Sequence, residues 1–336
     1  MRIGLIGRDD NKGLGRLTRE LCRWLPIAKV LLKRGLKVAG SEGGLPQDKL
    51  TQCINPDDVA DRWIRDIDTL LVLEFAAHPK IWETVRQRGI YSALKVNYEY
   101  LPTELAVGPD LYLCSSSVNL AAVPDDKHKL LLPDPVDTER IPFEQRRTAR
   151  VFVHNAGTLG AAGANCTREV LQAIPLVRNR DVRFIVRSQV RLPPHAADVR
   201  TTYQGAVPGV EQLYGLGDVF LLPQKFRATS LPIQEAMAAG MPVLTTDMPP
   251  FNEFCQFLIP SRGVSSLRGQ FMKRDVLSHQ VEPQAIANAI DHLAGQDISE
   301  ASRAARRYAE SIGWQVLAPR WLAACNGSLP GIRQRD

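Results

Sequence analysis

Apolar and polar residues alternate along the chain in blocks that predict an α/β protein. Short apolar runs bounded by turn residues, such as Arg2–Gly7 and Thr69–Glu74, predict buried strands. Between them, Arg16–Leu25 repeats leucine at every fourth position, with Leu17, Leu21 and Leu25 on one face, which predicts an amphipathic helix. Strands and helices that alternate with short connections predict parallel, doubly wound sheets.

The predicted elements form two series separated by a Pro-rich segment. The segment Leu131–Thr148 contains three prolines and a charged run, as a domain boundary does. We predict an N-terminal domain at 1–145, a C-terminal domain at 146–310 and a helical tail at 311–336 that ties them together, with a cleft between the domains. The predicted elements before the boundary are strands Arg2–Gly7, Ala28–Leu32, Thr69–Glu74, Leu94–Asn97 and Asp110–Ser115 and helices Arg16–Leu25, Pro56–Arg65 and Pro79–Arg88. Those after it are strands Arg150–His154, Val182–Arg187, Val219–Leu222 and Pro242–Thr246 and helices Thr167–Val177, Gly209–Leu213, Leu231–Ala239, Pro283–Ala294, Ser299–Ile312 and Trp314–Ala324.

The composition excludes several classes of protein. Of the 336 residues, 44% are hydrophobic and 23% are charged, which is ordinary for a globular protein and excludes a collagen-like or disordered chain. No apolar run approaches the roughly 18–20 residues that span a bilayer, and the first residues lack the apolar region of a signal peptide. The six cysteines are scattered without a CxxC pair. We therefore expect a cytoplasmic location in a reducing compartment.

The positive charge is concentrated at the start of the chain. The net charge is +6, but residues 1–40 contain ten basic residues against three acidic ones, so this segment alone carries +7. The pattern favours an anionic partner beside the N-terminal domain. A solvated helix face without a partner explains the same charges.

The segment Asp218–Glu253 carries the clearest chemistry. A buried strand ends at Leu222, and a helix follows with Ser230 as its predicted N-cap and Gly240 just past its end. The N–H groups at the start of such a helix form an anion site at the carboxyl edge of the sheet. Glu235, one turn further in, is suited to accept two hydroxyl hydrogen bonds from a ribose. The alternative is that Glu235 only favours the N-terminal half of its helix.

This segment resembles the donor-binding signature of the family-four, retaining GT-B glycosyltransferases (glycosyltransferase group 1). The similarity is strongest at Glu235–Val243, which matches the Glu-Ala-Met-Ala-x-Gly-x-Pro-Val run of that family. Weaker similarity appears at Gly13–Leu21, Leu132–Asp137 and Tyr214–Pro223. The resemblance implies a GT-B fold of two Rossmann-like domains, and transfer of a glycosyl group from a nucleoside diphosphate sugar to an acceptor hydroxyl with retention of configuration.

Two departures from the family signature concern charge. Arg227 stands eight residues before Glu235, where the family has its first Glu, and Ala228 follows where the family usually has Gly. The loop Asn155–Cys166 has no basic residue, although the family usually places an Arg and a Lys there to hold the diphosphate. Either Arg227 supplies the missing cation, because Arg suits bidentate phosphate contacts, or catalysis is lost and the fold is kept.

The resemblance and the strand ends together give the candidate site residues. His154, at a strand end, is interpreted as a satisfied core residue. No Asp-x-Asp pattern stands where it would face the predicted cleft, so no metal ligand is predicted, and no cofactor is predicted. The predicted catalytic residues are Arg227 and Glu99; the predicted donor-binding residues are Gly157, Thr158, Arg187, Thr229, Ser230, Leu231 and Glu235; the predicted acceptor-side residues are Gly13, Gly15, Arg16 and Ser116.

The rival enzyme classes differ in their motifs. Gly13 and Gly15 are not followed by the third glycine of a dinucleotide-binding fingerprint, and no P-loop is present. A GT-B phosphorylase or epimerase, and a pseudo-enzyme that binds nucleotide sugar or nucleic acid without turnover, stay open. For the acceptor we expect a hydroxymethylated pyrimidine in DNA, as in phage-type members of the family, which would place the protein in the host cytoplasm. A glycan or lipid acceptor is the alternative.

Overall fold

The fold is described from a computed structural model of the chain. The structure describes residues 1–10, 13–33, 45, 47–53, 63–74, 79–104, 107–158, 163–207, 209–269 and 272–329. The predicted helix Pro56–Arg65 lies mostly outside these ranges. The chain divides into two compact units, each built on its own parallel sheet.

The N-terminal unit contains a seven-stranded parallel sheet. Its strand order is β3-β2-β1-β4-β5-β6-β7, so the order reverses between β1 and β4. The strands are β1 (Ile3–Gly7), β2 (Ile27–Lys33), β3 (Leu50–Cys53), β4 (Thr69–Leu73), β5 (Tyr91–Lys95), β6 (Leu111–Cys114) and β7 (Lys129–Leu131).

The helices of this unit cover both faces of the sheet, as short crossovers between parallel strands require. All five residues of β1 and all five of β4 are buried. One apolar core joins β4 to the next helix through Val72, Trp82 and Val85. The helices are α1 (Gly13–Trp24), α2 (Pro79–Gln87), α3 (Ser117–Ala122) and, from the end of the chain, α9 (Trp314–Cys325).

The C-terminal unit repeats this architecture. Its six-stranded parallel sheet has the order β10-β9-β8-β11-β12-β13 and reverses between β8 and β11. The strands are β8 (Val151–Gly157), β9 (Arg183–Ser188), β10 (Thr201–Gln204), β11 (Val219–Leu221), β12 (Val243–Thr246) and β13 (Phe257–Ile259), with a separate hairpin of β14 (Gly263–Leu267) and β15 (Val276–Gln280).

Helices pack on both faces of the second sheet. The core between α4, α7 and the sheet includes Val170, Phe184 and Ile290. Arg200 is buried and donates to the carbonyl oxygens of Ile174, Val177 and Asn179, which satisfies backbone groups that a helix end leaves open. The helices are α4 (Thr167–Ala173), α5 (Val210–Leu213), α6 (Leu231–Ala238), α7 (Pro283–Leu293) and α8 (Ser299–Ser311).

The pattern predicts most elements to within a few residues, and the exceptions have local causes. The predicted helix Thr167–Val177 ends at Ala173, and a 3-10 turn with Pro175 follows, because proline cannot continue the helical hydrogen bonds. The predicted strand Leu94–Asn97 is observed at Tyr91–Lys95. Strands β3, β7, β10, β13, β14 and β15 were not predicted.

The two units are interleaved in sequence. The N-terminal unit consists of Met1–Pro135, Phe271–Arg274 and Trp314–Asp336, and the C-terminal unit consists of the remainder. Arg274 shows why its short segment belongs to the first unit, since its guanidinium donates to the carbonyl oxygens of Leu101, Pro102 and Ala122. Within the described ranges, the helices are too short or too polar to cross a membrane.

Candidate functional site

The carboxyl ends of β8 and β11 form the switch point of the C-terminal sheet. At such a point the neighbouring connections leave toward opposite sides, and open α/β sheets bind ligands there. The chain after β8 leads through Gly157 and Thr158, and the chain after β11 leads through Lys225 to the start of α6. Gly157 has a φ of +56° and Thr158 is exposed. Gly157, Thr158 and the start of α6 therefore lie at the carboxyl edge of this sheet.

The start of α6 keeps two backbone donors available. Ser230 occupies the predicted N-cap position, but its side chain makes no capping hydrogen bond. In the described parts of the chain, no acceptor is bonded to the backbone N–H of Ser230 or Leu231. Pro232 lacks an N–H, so these two groups are the main donors at this helix end. Thr229 precedes them and is half-buried.

The end of α6 is fixed by close backbone packing. Gly240 has a φ of +82°, and a Cβ built on it would stand 2.6 Å from the carbonyl oxygen of Glu144. Only glycine fits both conditions, which confirms the predicted stop of the helix. The Ser302 hydroxyl on α8 donates to the Gly240 carbonyl oxygen at 2.7 Å, so α8 also stabilises the end of α6.

Glu235 is buried and held in one orientation. It is 3% exposed, and its Oε2 accepts a hydrogen bond of 2.8 Å from the hydroxyl of Tyr214. Tyr214 is 1% exposed, and its carbonyl oxygen accepts from the guanidinium of Arg146 at 3.0 Å. A buried carboxylate that is positioned in this way has little rotamer freedom left to lose when a ligand binds.

Arg187 serves mainly inside the unit. Its Nε donates to Gln204 at 2.8 Å and its Nη1 donates to the carbonyl oxygen of Leu213. Burial lowers the pKa of its guanidinium from the ordinary value. This predicted donor-binding residue therefore stabilises the connection between β10 and β11.

Two cations follow β11 in the chain. Lys225 donates to Glu169 at 2.7 Å, and its backbone N–H donates to the Ala164 carbonyl oxygen at 2.9 Å. Arg227 is half-buried, and its guanidinium carbon lies 5.6 Å from the ring centre of Phe226. Arg227 thus lies on the loop that leads to the first turn of α6.

The glycine-rich start of α1 is packed tightly. A Cβ on Gly15 would overlap the backbone of Asp10, so only glycine fits there. Gly13 is exposed at the first position of the helix and Arg16 is half-buried. These predicted acceptor-side residues lie next to the carboxyl end of β1, at the switch point of the first sheet.

Glu99 and Ser116 are built into the N-terminal unit. Glu99 is fully buried, and its carbonyl oxygen accepts from the N–H of Lys273 at 2.8 Å. Ser116 caps α3, accepting from the N–H of Asn119 at 3.3 Å. Asn119 in turn accepts from the N–H of Tyr98 at 3.0 Å, which fixes the turn that carries Glu99. The structure therefore gives Ser116 a capping role; binding by either residue stays a prediction.

Four of the ten basic residues in the first 40 positions form ion pairs in the part of the chain that the structure describes. Two of the acidic partners lie outside that segment: Arg2 pairs with Asp68, Arg8 with Asp10, Arg19 with Asp9 and Lys29 with Asp66. The hydrogen bond from Lys29 lowers the pKa of Asp66. Over residues 1–135, 19 basic residues stand against 18 acidic ones. The charge of +7 is therefore almost cancelled within the contiguous part of the N-terminal unit.

The first sheet also contains a buried ionic cluster that the sequence did not indicate. Lys95, at the end of β5, is 2% exposed and lies 3.1 Å from Asp134 and 3.3 Å from Glu74. The two carboxylates outweigh the effect of burial and raise the pKa of Lys95 above its ordinary value. Glu74 has a φ of +60°, which is uncommon for a residue with a side chain.

Part of the C-terminal unit matches a known protein family. The family model described as glycosyl transferases group 1 matches residues 155–296. The matched segment runs from Asn155 in β8 to just past the end of α7. This finding confirms the family resemblance at Glu235–Val243 and the prediction of two Rossmann-like domains. No curated protein matches the chain in sequence.

Solved structures share the GT-B fold over nearly the whole chain. Anabaena Alr3699/HepE in complex with UDP and glucose has a TM-score of 0.68 at 11% identity, covering 96% of this chain and 98% of that chain. The lipopolysaccharide outer core galactosyltransferase WaaB has a TM-score of 0.65 at 12% identity, covering 98% and 100%. Sucrose-phosphate synthase from Thermosynechococcus elongatus has a TM-score of 0.59 at 11% identity, covering 96% and 97%.

His154 lies just before the group 1 segment and is a core residue, as its sequence context suggested. Its Nδ1 lies 2.9 Å from the Leu221 carbonyl oxygen and its Nε2 lies 2.9 Å from the Thr167 hydroxyl. A carbonyl can only accept, so Nδ1 donates and Nε2 accepts from the hydroxyl of Thr167. The ring is neutral and ties β8 to β11 and α4, and full burial lowers its pKa from 6.5 to about 4.

Acidification is expected to destabilise the C-terminal unit through His154. Since its folded pKa of about 4 lies below 6.5, its contribution is present above pH 6.5 and is lost as the pH falls toward 4. The loss approaches about 3 kcal/mol, at about 1.4 kcal/mol per pKa unit. Urea unfolding from pH 7 to 4 should show a smaller decrease for His154→Gln than for wild type. His195→Gln, at an exposed histidine, is the control and should keep the wild-type decrease; equal slopes in all three proteins would contradict the prediction.

Metal ligands are not grouped in the described residues. In those ranges, no three His, Cys, Asp or Glu side chains come together in a group that could hold a metal ion. The groups described above at the carboxyl edge of the second sheet are the backbone N–H groups of Ser230 and Leu231, the cations Lys225 and Arg227, and the Glu235 carboxylate. This set suits recognition of a polar anionic ligand by hydrogen bonds.

Proposed function

We propose that the protein transfers a glycosyl group from a UDP-sugar to an acceptor hydroxyl with retention at the anomeric carbon. The observation that carries the proposal is the buried Glu235, oriented by Tyr214 at the carboxyl edge of the sheet inside the group 1 segment. UDP is the favoured nucleotide because Anabaena Alr3699/HepE, of the same fold, has structures with UDP and with UDP-glucose.

In this proposal the C-terminal unit binds the donor. Glu235 accepts hydrogen bonds from the two ribose hydroxyls. The N–H groups of Ser230 and Leu231 and the guanidinium of Arg227 bind the diphosphate, which combines a helix N-terminus with a bidentate cation. Gly157, Thr158 and Thr229 line the same edge, and Arg187 supports it through its bonds to Leu213 and Gln204.

The transfer step moves charge onto the diphosphate. The bond between the anomeric carbon and the β-phosphate oxygen breaks, and its electron pair stays on that oxygen. The acceptor oxygen forms the new bond on the same face of the sugar, and its proton passes to the leaving phosphate oxygen. Protein groups that bind the developing charge lower the barrier, so the proposal needs neither a dedicated base nor a metal ion.

Arg227→Ala tests the proposal and the role of its cation together. Wild type should bind UDP in titration calorimetry and should release UDP from at least one UDP-sugar. Because a hydrogen bond to a charged group contributes about 1.5–3 kcal/mol, the variant should bind UDP about 10- to 100-fold more weakly. Arg262→Ala, at an exposed arginine in the same unit, is the control. Full UDP affinity in Arg227→Ala would show that the cation is not relocated to this residue.

Turnover separates the enzyme from a pseudo-enzyme. Wild type that binds a nucleotide sugar but neither hydrolyses nor transfers it over a panel of donors would support the pseudo-enzyme. Release of nucleotide with retained anomeric configuration in the product supports the transferase. Arg227, in place of the usual Glu, is the feature that favours the first outcome.

The acceptor is proposed to bind the N-terminal unit, near Gly13, Gly15 and Arg16. The proposal of a DNA acceptor with hydroxymethylated pyrimidines, as in phage-type members, depends on the basic residues of the first 40 positions. Their pairing with Asp66 and Asp68, among others, reduces the field available to a nucleic acid, and it favours a glycan or lipid acceptor. Duplex DNA binding that falls steeply between 50 and 200 mM salt would support DNA; negligible binding at low salt would remove it.

A further inference from the structure

Asn155 presents an unsatisfied amide at the carboxyl edge of the second sheet. Both Oδ1 and Nδ2 are buried and find no hydrogen-bond partner among the described residues. An unpaired buried polar atom costs about 1–3 kcal/mol. Buried side-chain amides are nearly always bonded in native proteins, so an exception calls for a ligand or a water molecule to complete it.

The register of the sheet shows where this amide points. Asn155 on β8 is level with Arg187 on β9, so both side chains lie on the same face. Arg187 bonds to Leu213 on that face. Neighbouring Tyr214 holds Glu235. His154, the preceding residue, turns to the opposite face toward Thr167. Asn155 therefore shares the face of the proposed ribose-binding carboxylate.

Gln224 gives a second, independent sign of the same chemistry. It follows β11, the other strand of the switch point, and is 2% exposed. Its Oε1 has no hydrogen-bond partner in the described parts of the chain, while its backbone N–H donates to Thr246 at 2.9 Å. An amide with unused hydrogen-bonding capacity thus lies on β8 and another lies just after β11, the two strands that bound the switch point.

The pair of atoms on Asn155 restricts the ligand group that fits. A diphosphate offers only acceptors and would leave Oδ1 facing negative charge. Oδ1 needs a donor and Nδ2 needs an acceptor. A neutral group that presents a donor beside an acceptor satisfies both, as the imide edge of uracil or two adjacent sugar hydroxyls do.

We propose that both polar atoms of the Asn155 amide bind the donor substrate. The substrate group that they bind is neutral and offers a hydrogen-bond donor next to an acceptor. The inference rests on the proposed function and adds to it a residue that selects among nucleotide sugars. Gln224 supplies a further hydrogen bond at the same edge.

Asn155→Leu separates binding from folding. Leu has nearly the shape of Asn and needs no partner, so the melting temperature without ligand should stay equal or rise. UDP-glucose affinity by calorimetry should fall at least about tenfold. Asn155→Asp, which keeps the shape and loses the donor, should weaken binding of the anionic nucleotide as much or more. Asn288→Leu, at an exposed Asn whose Oδ1 accepts from the Gln284 side chain, should leave binding unchanged.

The ligands identify the group that is bound. Equal losses for UDP and UDP-glucose, together with weak wild-type binding of N3-methyl-UDP, would identify the uracil edge. A loss confined to UDP-glucose would identify the transferred sugar. If wild type and Asn155→Leu both bind UDP-glucose, and bind it equally well, the inference is overturned and the proposed function stays intact. A melting temperature lowered by several degrees in Asn155→Leu would also overturn it, since the amide would then be structural. Wild type that binds no nucleotide sugar overturns both.

Discussion

Glu235→Gln is expected to weaken UDP binding by about 30- to 100-fold and to leave the fold intact. The amide keeps the shape of the side chain and can still accept a hydrogen bond from Tyr214. It loses the negative charge, and hydrogen bonds to charged groups contribute about 1.5–3 kcal/mol against about 1 kcal/mol for neutral pairs. Two weakened ribose contacts give a loss of about 2–3 kcal/mol, at about 1.4 kcal/mol per tenfold. Titration calorimetry measures it.

A nucleotide that lacks the 2′-hydroxyl tests whether the loss of affinity arises at the ribose. Wild type should bind 2′-deoxy-UDP more weakly than UDP, whereas Glu235→Gln should discriminate between them much less. Tyr214→Phe removes the hydroxyl that orients the carboxylate and should cause a smaller loss, of about tenfold or less. If Glu235→Gln binds UDP as tightly as wild type, the carboxylate does not hold the ribose.

Lys95→Met is expected to destabilise the N-terminal unit by about 3–5 kcal/mol. The change leaves Asp134, 1% exposed, without its cation inside the protein. Removing one partner of a buried ion pair is costly because the remaining charge is neither solvated nor paired. Urea unfolding monitored by hydrogen exchange in β5 and β6 measures the decrease in the N-terminal unit itself.

Two further variants isolate the buried charge as the cause. Lys29→Met breaks a more exposed pair with Asp66 and should cost about 1 kcal/mol or less. Adding Asp134→Asn to Lys95→Met should recover a large part of the lost stability, since no unpaired charge then stays buried. A decrease for Lys95→Met no greater than that for Lys29→Met would contradict this account of the cluster.

The sequence predicted the elements with strong periodicity and missed those without it. β7 has three residues and lies at the edge of its sheet, and β10, also an edge strand, reads Thr-Thr-Tyr-Gln with two exposed residues. Edge strands bury little apolar surface, so their sequences lack the apolar run that marks β1 or β4. The short, polar pattern of β10 is that of a loop, and only pairing with β9 makes it a strand.

The sequence located residues of the candidate site correctly within their elements where a motif determined the backbone geometry; their roles in binding stay predictions. Gly240, Pro232 and Glu235 follow the helix rules and the family signature, and their positions agree with the prediction. The partner of Glu235 is Tyr214, 21 positions away, and the fold alone brings them together. The roles of Arg187 and Ser116 also depend on tertiary contacts. Asn155 carried a sequence signal, as a polar residue that ends a buried strand beside His154.

The interleaving of the two units limits how such proteins can be recombined. The strap at Phe271–Arg274 and the last helix both return to the N-terminal unit, where Arg274 binds three carbonyl oxygens and Thr69 donates to the carbonyl of Cys325. A single crossover near Pro135 would therefore exchange the C-terminal unit together with pieces of the other unit. A chimera that exchanges only the C-terminal unit must keep the strap and the last helix from the parent of its N-terminal half, which requires four junctions in the gene.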